Sequence, residues 1–269
     1  MLMTLRTIMV HVGPAAFDTG RVDAAISLAQ RFGARLIGAG ATALPQMIVT
    51  PEGVMSPAPD NVKMLEDDLV ALSKRFKEHA AILGAGNVSW RGEMGPPAEH
   101  VARHARAADL VVVGSRVERE DTLARLDPSD VLMAAGRPVL AMPAGQGDVD
   151  MTTAVIAWKD APQARRAVAA ALPVLLRVRQ AVIIGVGEES REDGLKDVSA
   201  WLTDHGVNCQ TRAIQGRDAG PSLRSAAKDL DAGLIVAGAY GRSRLREFIL
   251  GGVTRDLLFN SPVPCLFAH

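Results

Sequence analysis

The chain repeats itself once, and the repeat limits what it can fold into more than any other feature. Three landmarks of the first half recur in the second: TIMVHVGPA as AVIAWKDAP, ADLVVVGS as AGLIVAGA, and GRPVLAMP as PVPCLFAH. His11 aligns with Ala157, Gly114 with Gly238 and Pro138 with Pro264, so the offset shrinks from 146 to 124 and settles at 126. The first half therefore carries extra residues. They fall in ALPQMIVTPEGVMSPAPDN, residues 43–61, whose prolines and glycines predict a long loop between a strand near Leu36 to Ala39 and a helix from about Val62. The halves meet at AGQGDVD, Ala144 to Asp150, a polar linker short enough to keep them close.

Within each half, short apolar runs alternate with helical patterns, as in βαβ units with a parallel sheet. LVVVG and LIVAG show no polar alternation, which marks strands covered on both faces. In the second half strands are predicted at Ala154 to Ala157, Ala181 to Val186, Asn208 to Ala213, Leu234 to Ala237 and Cys265 to Ala268. Helices are predicted at Ala161 to Val178, Gly194 to Asp204, Gly220 to Leu230 and Gly252 to Phe259. The expected fold is α/β: two tandem doubly wound domains, 1–145 and 150–269, each a five-stranded, mostly parallel sheet with helices on both faces. The apolar final strands VLAM and CLFA suit pairing across a pseudo-twofold axis.

An apolar fraction of 48% over 269 residues suffices for two cores and argues against disorder. Lys and Arg number 30, as do Asp and Glu, so no global field draws the protein to nucleic acid or an anionic membrane. The opening MLMTLRTIMVHVG reads as a strand rather than a signal peptide, and no apolar run reaches membrane-spanning length. Cys209 and Cys265 form no CxxC pair and no disulfide framework, so a reducing compartment, the cytoplasm, is expected.

The segment after the strand ending at Ala237, GAYGRSRLREFILGGVTRDLLF, carries the chemistry. Gly238, Gly241, Gly251 and Gly252 permit main-chain amides to approach an anion, and the helix that follows offers unpaired N–H groups and a positive dipole end. Arg242 and Arg244 supply charge nearby, and Thr254 a hydroxyl. Phosphate is the expected ligand.

These residues resemble the universal stress protein family, whose ATP-binding members carry Gly-x2-Gly-x9-Gly-[Ser/Thr] after the fourth strand. Gly238, Gly241 and Gly251 match that spacing, while Gly252, followed by Val253 and Thr254, replaces the hydroxyl and removes one hydrogen bond of roughly 0.5 to 1.5 kcal/mol. The ending SPVPCLFAH resembles the family's final strand, and AWKDAPQARRAV its first strand, turn and helix in tandem members. Where the family usually has a nucleoside-contacting aspartate, this chain has Lys159, with Asp160 one place later. The resemblance implies an adenine nucleotide alpha hydrolase-like fold, an internal pseudo-dimer and a site for ATP or ADP, with or without magnesium. That site comprises Ala157, Trp158, Lys159, Asp160, Val186, Gly238, Gly241, Arg242, Gly251, Gly252, Val253 and Thr254.

The first half supplies an internal control. Opposite Gly251 to Thr254 it has Arg125, Leu126, Asp127 and Pro128, with no glycine kept. Asp127, Pro128 and Asp130 predict a self-satisfied helix start, with a carboxylate where phosphate would sit. No nucleotide is expected there by this route.

Other candidates have plainer readings. His100 and His104 lie four residues apart on one helix face, a spacing metals use, but no third ligand is evident and a solvated, partly buried face is expected. Asp18 and Asp23 are expected to cap the first helix, Trp158 to pack rather than stack on adenine, Cys265 to be a buried hydrophobe, and Arg165 and Arg166 to face solvent. GxxxxGK[ST] and a nucleophile elbow are absent, so no catalytic residue is assigned, slow ATP hydrolysis being the one reaction left open. A nucleotide-binding regulatory module, in which ATP orders Arg242 to Leu250 and alters an interface with a protein partner or a second copy, is weighed against a nucleotide-independent scaffold.

Overall fold

The computed structural model describes residues 4–13, 19–45, 48–50, 53–55, 58–116, 123–187, 192–239 and 251–269. The first half runs β1 (Thr7–His11), α1 (Thr19–Phe32), β2 (Arg35–Thr42), β3 (Ile48–Thr50), β4 (Gly53–Met55), α2 (Pro59–Ile82), β5 (Val88–Met94), α3 (Pro97–His104), β6 (Leu110–Gly114), α4 (Pro128–Ala134) and β7 (Val139–Met142). The second runs β8 (Thr153–Trp158), α5 (Pro162–Leu175), β9 (Gln180–Val186), α6 (Glu192–Asp204), β10 (Cys209–Ile214), α7 (Ala219–Asp229), β11 (Leu234–Gly238), α8 (Gly252–Asn260) and β12 (Cys265–Ala268). The expected second-half elements are all present, and the α/β class holds.

One ten-stranded sheet spans the molecule, ordered β10-β9-β8-β11-β12-β7-β6-β1-β2-β5. Each half contributes five parallel strands in the same relative order, and the halves join where β7 meets β12 antiparallel. Leu266 pairs with Leu140, its own cognate at the offset of 126, and Cys265 and Phe267 pair with Ala141 and Val139. This register places a pseudo-twofold axis through the leucine pair, as the apolar VLAM and CLFA strands suggest.

Packing gives the direction of that axis. One apolar cluster joins one face of the sheet to α1, α2, α5 and α6, and the other joins the opposite face to α3, α4, α7 and α8. Cognate helices share a face, so the axis runs perpendicular to the sheet and the carboxyl ends of the two sets of strands point in opposite directions. Continuous Val, Ile and Leu runs suit this two-sided cover: all five residues of β6 are buried, as are the first four of β11.

The linker is built in rather than loose. The Ser27 hydroxyl and the Arg31 guanidinium donate to Asp148, Arg31 donates to the Val149 carbonyl at 2.8 Å, and Val149 is buried. Two expectations are corrected. Residues 43–61 are not simply a loop, since β3 and β4 pair antiparallel there, and α2 starts at Pro59 rather than Val62. Asp23 does not cap α1: it lies inside the helix, and its carboxylate bonds to His79 Nε2 at 2.5 Å. Asp18 lies outside the described residues.

Candidate functional site

The carboxyl ends of β8, β9 and β11 lie side by side and bring together several of the expected second-half residues. Register brings Ala157 beside both Ala237 and Ile184, and Trp158 beside Gly185, so Ala157, Trp158, Val186 and Gly238 end neighbouring strands. Lys159 and Asp160 follow, both exposed, and Asp160 accepts from Arg165 at 2.5 Å. Gly241, Arg242 and Arg244 lie outside the described residues.

Gly238 has a structural reason to be glycine. A Cβ there would come within 2.6 Å of the Gln163 carbonyl carbon and 2.7 Å of the Ala164 nitrogen, so the first turn of α5 packs directly onto the end of β11. Trp158 packs too, as expected, being 8% exposed within the apolar cluster, though its indole Nε1 has no hydrogen-bond partner.

Gly251 and Gly252 differ in kind. Gly251 is the N-cap of α8 with φ −58° and ψ 143°, and among the described residues no side chain caps the helix and a Cβ on either glycine would meet nothing within 4 Å. Gly252 and Val253 are exposed and Thr254 is buried. Among the described residues no side chain caps the amides of this first turn, which lie at the positive end of the helix dipole. Asp256, in the second turn of α8, accepts from Arg224 Nε of α7 at 2.8 Å and from Asn260 at 3.1 Å.

The cognate start in the first half is closed. Asp127 caps α4, its carboxylate accepting from the Ser129 amide at 2.9 Å and from the Ser129 hydroxyl, with Pro128 at the first position. Burial and the Asp127 charge both raise the Asp130 carboxyl above its usual range. Leu126, opposite Gly252, is 2% exposed, and Ala124 before it is 1% exposed. Arg21, which holds on α1 the place of Ala164 on α5, is 2% exposed, and its Nη1 lies 2.5 Å from where a Cβ on Gly114 would sit. Sequence reasoning found the cap but missed Leu126 and Arg21 as plugs. A buried arginine opposite an alanine becomes visible only once helix register is known.

Other residues land as follows. Arg165 and Arg166 are exposed, as expected. Cys265 is 1% exposed, its thiol pushed up to about 12 by burial, and Cys209 is also a free thiol. The face of His100 and His104 is partly buried, as expected, with His100 1% exposed, and Glu93 supplies the third group that the spacing did not show. Among the described residues, no helix is long and apolar enough to cross a membrane.

Comparison with known proteins agrees with this geometry. The family model described as the universal stress protein family matches residues 180–269, from β9 to the last strand, and leaves the departures at Lys159 and Asp160 outside. A universal stress protein of Mycolicibacterium smegmatis (strain ATCC 700084 / mc(2)155) is 36% identical over 77 residues, 29% of this chain and 59% of that protein. A universal stress protein structure from Archaeoglobus fulgidus DSM 4304 superposes with a TM-score of 0.78 at 14% identity, covering 97% of each chain. A functionally unknown protein from Pseudomonas aeruginosa PAO1 gives 0.61 at 15% identity, over 98% of this chain and 92% of that one. Residues 180–269 of this chain are thus similar to the universal stress protein family, and the chain as a whole shares its fold with the Archaeoglobus fulgidus universal stress protein.

Proposed function

We propose that the chain is a nucleotide-binding regulatory module of the stress response, taking ATP or ADP in its second half with the phosphates at the start of α8. The observation that carries this reading is the open, uncapped turn at Gly251 and Gly252, set against the cognate turn that Asp127 caps and Leu126 fills. Unpaired amides at a helix start are matched to phosphate oxygens. Ala157, Val186 and Gly238 at the strand ends form the wall on which the nucleoside rests. Binding alters an interface with a protein partner or a second copy, and the module works without a catalytic residue of its own. Thermal unfolding tests it: a ligand with Kd near 10 μM stabilises by about 2.7 kcal/mol at millimolar concentration, so an unchanged melting temperature in millimolar ATP and ADP sinks the proposal.

A second reading, a nucleotide-independent scaffold, draws on Gly238. Its contact with α5 accounts for that glycine without any ligand. Adenine nucleotide co-purifying with the protein would count against it.

A further inference from the structure

We propose that Glu93, His100 and His104 form a divalent metal site, of the kind zinc takes, on the outer part of the first half. The chain leaves β5 at Met94, turns at Gly95 with φ 153°, and starts α3 at Pro97, so the helix turns back across the neighbouring β2 with His100 against the Arg91 carbonyl of β5. That return sets His100 and His104, one helical turn apart, above Glu93, with one ligand atom from each of the three within 4.8 Å of the others. His100 Nδ1 lies 3.3 Å from one Glu93 oxygen and His104 Nε2 lies 3.8 Å from the other. Metal–ligand bonds of about 2.0–2.1 Å in a tetrahedral site place neighbouring ligand atoms about 3.4 Å apart.

The hydrogen bonds of His100 point to a missing cation. Its Nε2 lies 3.0 Å from the Arg91 carbonyl, which can only accept, so in the neutral ring Nε2 carries the proton and Nδ1 a lone pair. That lone pair is buried, has no hydrogen-bond partner, and faces a carboxylate oxygen. Two acceptors face to face repel, and a cation between them turns the contact into two bonds. A second nitrogen held by a backbone carbonyl is the usual support of a metal-binding histidine. Two imidazoles and one carboxylate suit zinc rather than magnesium or calcium, which prefer oxygen alone. Glu93 and His104 keep some exposure, which leaves an entry path and a fourth position for water.

Two arginines hold the metal-free site together. Arg103 is ion-paired with Glu93, and Arg91 donates to His104 Nδ1 at 2.7 Å. Metal entry displaces Arg103 from the carboxylate. It also needs the His104 proton on Nδ1 instead of Nε2, so Arg91 must swing aside.

The test is calorimetric titration of the chelator-treated full chain with Zn²⁺, alongside the visible spectrum with Co²⁺. One Zn²⁺ per chain is expected, with Co²⁺ bands of a four- or five-coordinate site. Glu93→Gln and His104→Gln, both at partly exposed positions, should weaken binding at least about tenfold, and Arg103→Ala should tighten it by removing a competitor. Wild type that binds no Zn²⁺, or binding that survives unchanged in both ligand variants, overturns the assignment.

Discussion

Helices α4 and α8 hold the same place in the two halves and end at cognate residues, Ala134 and Asn260, yet α8 begins two residues sooner at the offset of 126. The residues at that junction decide how each helix starts. In α8 the turn is Gly251 and Gly252, with no side-chain cap among the described residues. In α4 the same stretch is Arg125 and Leu126, the leucine sinks into the core, and the helix waits for Asp127 to cap it. One fold thus yields a helix start without a side-chain cap among the described residues or a self-satisfied one, and Arg21 packs against Gly114 on the closed side. Because the axis is perpendicular to the sheet, the open and closed ends face opposite ways.

The largest expected effect breaks the symmetry at its centre. Leu140→Ala or Leu266→Ala empties the middle of the β7–β12 seam, where both are at most 2% exposed, and should cost about 2–5 kcal/mol in denaturant unfolding. Equal costs would show that the seam stabilises both halves alike.

Next comes the pair of cognate glycines. Gly238→Ala drives a methyl into the backbone of Gln163 and Ala164 and should cost about 1–3 kcal/mol, whereas Gly114→Ala meets the end of the Arg21 side chain, which can shift. The Gly114 variant should be the milder, and the reverse order by urea titration would contradict the contrast drawn here.

Adding or removing a cap has a smaller effect on stability. Asp127→Ala should lose about 0.5–2 kcal/mol. Gly251→Asp, placed in open space at a cap position, should raise unliganded stability by a few tenths of a kcal/mol while putting a carboxylate where phosphate would bind.

The smallest effect is on pH dependence. His11 is fully buried with both ring nitrogens unpartnered, and burial first, then Arg21 and His100, hold its pKa well below 6.5. The unfolded ring takes up a proton as pH falls through 6.5 and the folded ring does not, so stability is full above 6.5 and declines below it. His11→Gln should flatten the decline between pH 7.5 and pH 5 in urea titrations, and an unchanged slope would count against this account.

Much of the fold was legible because its strands are buried on both faces, so LVVVG and LIVAG read as strands without periodicity. The cap at Asp127 and the glycine turn at Gly251 were legible because caps and turns are local chemistry. The hairpin β3–β4 was not, since the prolines and glycines around it carry the same signal as a loop. Glu93 escaped because its contact depends on where α3 sets down after β5, although the GPP turn between Glu93 and His100 is the signal that could have found it. The tie of Asp23 to His79 crosses 56 positions and leaves no local trace.

The most direct test of the contrast is calorimetric titration of ATP into the intact chain, the Gly251→Asp variant and the Asp127→Ala variant. The account predicts one nucleotide per chain, lost in Gly251→Asp and kept in Asp127→Ala. Two nucleotides per chain, or binding that survives in Gly251→Asp, would contradict it.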